Sequence, residues 1–186
     1  MNPSAAAIAE AIRRTGARQV IVLPNNGNVV LAAQQAATLV DVPTVVVATR
    51  SIPQGLAAMV AFDPDRSLDE NRTAMLDAAA AVKTGLVTTA VRDSVSGGVA
   101  IRQGDYLGIA EGAIVAAGSE LLSIVRRLME ALIDPDASLV TVLAGAGVDD
   151  QTVEDVVSAI AAAWPELEVE AHRGGQPVYS FIFSVE

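Results

Sequence analysis

VIVLPNNGNVVLAAQQAATLV, residues 20–40, decides how this chain is read. An apolar run breaks at Pro24-Asn25-Asn26-Gly27-Asn28 and resumes with helical spacing, so a strand ends in amide side chains and turns straight into a helix. Gln19 to Leu23 reads as a buried strand, Asn28 as the cap of a helix through Ala37, and Thr44 to Ala48 as a second β-branched strand. Strand, helix and strand in that order imply a parallel pair with a right-handed crossover. The turn itself can hold a ligand, a partner, or only its own backbone.

On the amino-terminal side, Asn2-Pro3-Ser4 offers a cap and a first-turn proline. Ile8 and Ile12 lie one turn apart, and Gly16 after Arg13 and Arg14 stops a short helix. On the other side, Ser51-Ile52-Pro53-Gln54 and Ser67-Leu68-Asp69-Glu70 each match a capping box, whose two side chains satisfy free N–H groups at a helix start. The helix after Ser67 carries Leu68, Met75, Ala79 and Val82 on one face and closes at Thr84-Gly85. From Leu86 to Gly118 short β-runs are punctuated by Gly97-Gly98, Gln103-Gly104-Asp105 and Glu111-Gly112, the pattern of an antiparallel meander. A helical stripe follows at Leu121, Leu122, Val125, Leu128, Met129 and Leu132, then a strand at Leu139 to Leu143. Val153, Val156, Val157 and Ile160 mark another helix, and Leu167 to Ala171 closes a second βαβ unit. Asp134-Pro135-Asp136 is a hinge or turn, and the last strand runs from Val178 to Val185. The expected fold is α/β: parallel βαβ sheet units in two sublobes, roughly 1–85 and 119–186, joined by an antiparallel β-meander over 86–118.

Composition supports that class. Hydrophobic residues make up 52% of the 186 but aromatics only 3%, the usage of buried parallel strands and Ala-rich helices packed in aliphatic layers. With no cysteine, disulfides, thiolate metal sites and a cysteine nucleophile are excluded, which suits an intracellular protein. Twelve Lys and Arg against 22 Asp and Glu give −10, a charge repelled by nucleic acid and by anionic membrane surfaces. The start, MNPSAAAIAEAIRRTG, has neither a charged leader nor a long apolar core, and no later run reaches the roughly 20 apolar residues of a spanning helix. A cytoplasmic protein without a membrane span is expected.

Three polar loops follow expected parallel strands: residues 24–28, 49–55 and 144–147. Loops of this kind gather at the carboxyl edge of an open α/β sheet, where ligands bind, although Asn and Gly equally serve turns and left-handed backbone. Asn25, Asn26 and Asn28 in the first loop and Arg50, Pro53 and Gln54 in the second are the candidate binding residues. The third begins like a nucleotide-binding glycine pattern, but Asp149 and Asp150 then stand where a phosphate would sit and serve better as helix caps. Arg92-Asp93, ending an apolar strand, is either a self-paired turn or, with Arg50, a cation placed to meet an acidic partner. His172 is the sole histidine, too few for a histidine metal site, and takes a structural or ligand-touching role beside Gly174, Gly175 and Gln176, where the glycine pair lets the backbone turn.

The stretches LPNNGNVVLAAQQA, TRSIPQGLAAMVAFDP, VKTGLVTTAVRDS, GDYLGI and GGQPVYSFIFSVE, in this order and over nearly the whole chain, resemble the C-terminal domain of the bacterial fatty acid kinase kinase component, a dihydroxyacetone kinase-like family. The resemblance implies a DegV-related fold. It also implies a single C-terminal domain, 1–186, of a larger kinase subunit, whose ATP and magnesium are held by a separate kinase domain. This domain would itself be non-catalytic and hold no cofactor, engaging the remaining kinase domains and a fatty-acid-binding protein for acyl phosphate formation. Two rivals stand beside it: a DegV-like domain that itself holds a fatty acid or small molecule, and a dihydroxyacetone-kinase-type substrate domain in which His172 forms a covalent adduct.

Overall fold

The computed structural model describes residues 2–186, and the chain divides after Val82 into two compact units. The first holds α1 (Ala5–Arg14), β1 (Val20–Val22), α2 (Gly27–Ala37), β2 (Thr44–Val46), α3 (Ile52–Val60) and α4 (Leu68–Ala80). β1 and β2 pair in parallel, with Ile21 beside Val45, as the opening stretch predicts. Because side chains alternate across a strand, Val20 and Val22 meet Ile12 and Ala36 of α1 and α2, while Ile21 and Leu23 meet Ala58, Met75 and Ala79 of α3 and α4. A short parallel pair is thereby covered on both faces.

The second unit holds β3 (Lys83–Thr89), β4 (Ser94–Ser96), β5 (Val99–Ile101), β6 (Tyr106–Ala110), β7 (Ala113–Gly118), α5 (Leu121–Leu132), β8 (Leu139–Ala144), α6 (Asp150–Ala163), β9 (Glu168–Arg173) and β10 (Phe181–Val185). Its main sheet runs β7-β6-β3-β10-β8-β9. β8 and β9 are parallel around α6, and every other neighbouring pair is antiparallel. The core lies where Phe181 and Phe183, their ring centroids 5.9 Å apart, pack with Val125, Leu128, Met129 and Leu132 of α5 and Val156 and Ile160 of α6. Side chains of this size contribute about 1.5–3 kcal/mol each when buried.

Three expectations are corrected here. The meander does not join two lobes: β3, β6 and β7 belong to the same sheet as the second βαβ unit, because β10 returns from the end of the chain to pair with both β3 and β8. Thr84-Gly85 does not close a helix. α4 ends at Ala80 and Gly85 lies inside β3, where an added Cβ would stand 2.6 Å from Leu132 Cδ1, so the glycine lets α5 approach the sheet. The last strand begins at Phe181 rather than Val178. Asp134-Pro135-Asp136 is a turn, closed by Ala137 N–H on the Asp134 carbonyl (3.1 Å) and tied to the sheet by Lys83 Nζ at 2.5 Å from Asp134 Oδ2.

Candidate functional site

In the first unit the loops after β1 and β2 are bound to each other. Asn25 adopts a left-handed φ of 54°, which aims its backbone N–H at Thr49 Oγ1 (3.1 Å) while the Thr49 hydroxyl donates to Asn25 Oδ1 (2.8 Å). Thr49 is fully buried. The amide of Asn25 also lies over Gly55, where a Cβ would be 2.1 Å from Asn25 Oδ1. Asn26, not Asn28, caps α2: its Oδ1 accepts from the Asn28 N–H at 2.9 Å. The extended backbone of Asn26 frees its side chain for this, whereas Asn28 already stands within the helix.

Ser51 caps α3 and accepts from the Gln54 N–H (3.3 Å), while Gln54 Oε1 accepts from the N–H of Arg50 at 2.8 Å. Pro53 is buried in the first turn and the Arg50 side chain is exposed. These polar groups hold a rim at the carboxyl edge of β1 and β2. Beside it α3 exposes Ile52 (42%), Leu56 (53%), Met59 (55%) and Val60 (87%), which recur at helical spacing along one side. The residues α3 buries are the small ones, Pro53, Gly55 and Ala58. Read from sequence alone, every helical stripe belongs to the core; the signal that marks α3 as different is a helix with no charge on any face and its bulk on one side.

The second unit gathers the other candidates at one end of its sheet. Gly145 N–H donates to the Ser180 carbonyl (2.9 Å) and Ala146 N–H to that of Gln176 (3.1 Å); a Cβ on Gly145 would lie 2.4 Å from the Tyr179 carbonyl. That loop is thus closed by backbone from 176–180. Gly174 and Gly175 N–H groups both reach the Ala144 carbonyl at 2.9 and 3.1 Å, Gly175 with a φ of 68°, and Gln176 Nε2 donates to the Leu143 carbonyl at 2.8 Å. Asp149 caps α6 by accepting from the Thr152 N–H (2.7 Å), and that bond first of all holds its carboxyl below the usual carboxylate range. Asp93 accepts from Gln103 N–H (2.7 Å), which leaves the neighbouring Arg92 side chain exposed. His172 lies within β9 rather than in a loop after it, with Nε2 at 3.5 Å from Glu170 Oε1.

Each unit therefore has its own cluster: Asn25, Asn26, Asn28, Arg50, Pro53 and Gln54 in one; Arg92, Asp93, Gly174, Gly175 and Gln176 in the other, with His172 on an edge strand. Among the described residues no group of three or more His, Asp and Glu is arranged to hold a metal ion, and no helix is long and apolar enough to cross a membrane. An open depression of about 540 Å³ is lined by Arg66, Asp69, Glu70, Thr73, Ala74 and Asp77, a charged wall unsuited to an acyl chain.

The sequence profile of the FakA-like (fatty acid kinase A-like) C-terminal family matches residues 1–186. The chain belongs to that family. An uncharacterised protein of Staphylococcus haemolyticus is 40% identical over 186 residues, covering 100% of this chain and 34% of that protein; the chain thus spans about a third of the length of the curated relatives it matches. Among solved structures, the Streptococcus pneumoniae fatty acid kinase B3 protein loaded with linoleic acid superposes with a TM-score of 0.69 at 13% identity, over 99% of this chain and 76% of the other. A DegV family protein from Corynebacterium glutamicum gives 0.68 at 17% identity, over 99% and 81%. The family member's architecture, mixed parallel and antiparallel sheets flanked by helices, is that of the DegV fold.

Proposed function

We propose that this chain is the partner-docking domain of a fatty acid kinase, presenting a surface to the fatty-acid-binding protein whose cargo becomes the acyl phosphate. The observation that carries this reading is the uncharged outer face of α3 beside the hydrogen-bonded rim of Asn25, Thr49, Arg50 and Gln54. An apolar patch edged by fixed polar groups has the make-up of a protein interface. The family to which the chain belongs supplies the kind of partner, and the exposed Arg50 and Arg92 supply charge for an acidic one.

A second reading, that the domain itself holds a fatty acid or similar small molecule, has the wider support among the structural neighbours, one of which carries linoleic acid. At these identities the kinship is one of fold.

One pair of measurements separates the two. Calorimetric titration of the parent against the cognate fatty-acid-binding protein should show binding that Arg50→Glu and Arg92→Glu weaken by about tenfold or more, with thermal midpoints close to the parent's because exposed charge changes cost little stability. Wild-type affinity in both variants would place the interface elsewhere. Mass spectrometry of the denatured, purified chain reads the second reading directly: a co-purifying acyl chain with no binding by the parent would put ligand holding first.

A further inference from the structure

The two edges of the second unit's sheet differ. β7 lies against β5 of the β4–β5 hairpin, whereas β9 has β8 on one side and no strand on the other. Glu168 and residues 170–173 are exposed. The hydrogen bonds orient this edge: Glu168 N–H donates to the Ser138 carbonyl (2.9 Å) and Gly174 N–H to the Ala144 carbonyl (2.9 Å). Even-numbered residues of β9 thus face β8, and in a parallel ladder the alternate residues, Val169, Ala171 and Arg173, turn their N–H and C=O groups outward.

We propose that this edge pairs with the same edge of a second copy of the chain, antiparallel about a twofold axis through Ala171, so that one sheet continues across both copies. The register follows from the backbone and the charges. Hydrogen-bonded pairs join outward residues to outward residues, which restricts a symmetric pairing to axes through Glu170, Ala171 or His172 when most of the strand is engaged. An axis through Glu170 sets two carboxylates against each other, and one through His172 sets two imidazoles together. The axis through Ala171 instead joins Ala171 to Ala171 and Val169 to Arg173 by hydrogen bonds. It also places Glu170 opposite the partner's His172, twice, at the closely spaced positions between them. Glu170 is already held on that face by the Thr141 hydroxyl at 3.2 Å and by its own His172. Each copy carries −10, so long-range repulsion opposes the encounter and salt relieves it.

The test is sedimentation equilibrium of the whole chain over a wide concentration range at low and high salt, and the expected result is a reversible monomer–dimer equilibrium that salt strengthens. Ala171→Pro removes only an outward N–H, so the monomer keeps its own ladder. It should weaken the dimer about tenfold or more, because the central hydrogen-bonded pair is lost. Glu170→His and His172→Glu should each weaken it, and the double swap should restore it; this arm decides the matter even if the proline variant melts early. A parent that stays monomeric at every concentration and salt overturns the proposal. So does a dimer indifferent to both the proline and the charge swap.

Discussion

Asn25 does more than its neighbours in the turn that opens the chain's first βαβ unit. Its left-handed backbone, its bonds to Thr49 and its contact with Gly55 make one side chain the fastener of two loops. A methyl at Gly55 has nowhere to go, since the amide it would strike is held by a buried hydroxyl. Gly55→Ala should lower stability by about 1–3 kcal/mol, read as a lowered denaturation midpoint; an unchanged midpoint would show that Asn25 can swing away and that the fastener is dispensable. Charge acts at this scale too. The Ser67 hydroxyl, first among its partners, holds Glu70 below the usual carboxylate range, and Asp149 is lowered likewise. Carboxyls depressed in the folded state contribute stability that is complete above the ordinary carboxylate range and is lost as pH falls through their lowered values. Asp149→Asn keeps a good cap, so it should melt near the parent at neutral pH yet lose less midpoint on acidification. Parallel acid limbs in parent and variant would remove Asp149 from the account.

The elements are matched by size where they meet. α5 presents Leu128 and Leu132 to β3 and β6, and those strands answer with Gly85 and Gly108, so bulk on the helix is accommodated by absence on the sheet. Gly85→Ala should destabilise by about 1–3 kcal/mol through overpacking. Leu132→Ala in the same background should recover part of that loss by vacating the site, a non-additivity that a double-mutant cycle measures. Simple addition of the two penalties would mean that the strand and helix move apart instead. α3 inverts this arrangement, with small residues inside and large apolar ones outside. The same rule of complementary size then points to a surface that an external partner completes.

At the scale of the whole molecule, the glycine loop at 145–147 is filled by the backbone of 176–180, and Asp149 and Asp150 follow it. Phosphate has no cradle in that loop. Incubated with ATP, magnesium and a loaded fatty-acid-binding protein, this chain alone should transfer no phosphate, as followed by labelled-phosphate transfer; turnover above a protein-free control would overturn that expectation. The elements themselves were largely legible in the sequence: alternation and helical spacing located β1, α2, β2, α5, β8 and α6, and Ser4, Ser67 and Asp149 announced their helix starts, because caps and periodicity depend on residues within one turn of each other. Half of the candidate rim was legible for the same reason. Asn26 rather than Asn28 as the cap depended on one residue of backbone conformation. Other features depend on residues far apart in the chain. β10, legible only as a last strand, lies between β3 and β8 and merges the meander into the main sheet; Gly85, with the look of a helix stop, is a packing contact with α5; Thr49 reaches across to Asn25. Local pattern determined which segments are helix or strand, whereas strand order, the partners of each glycine and the face of α3 left open were decided only when distant segments met, since burial is a property of the assembled chain.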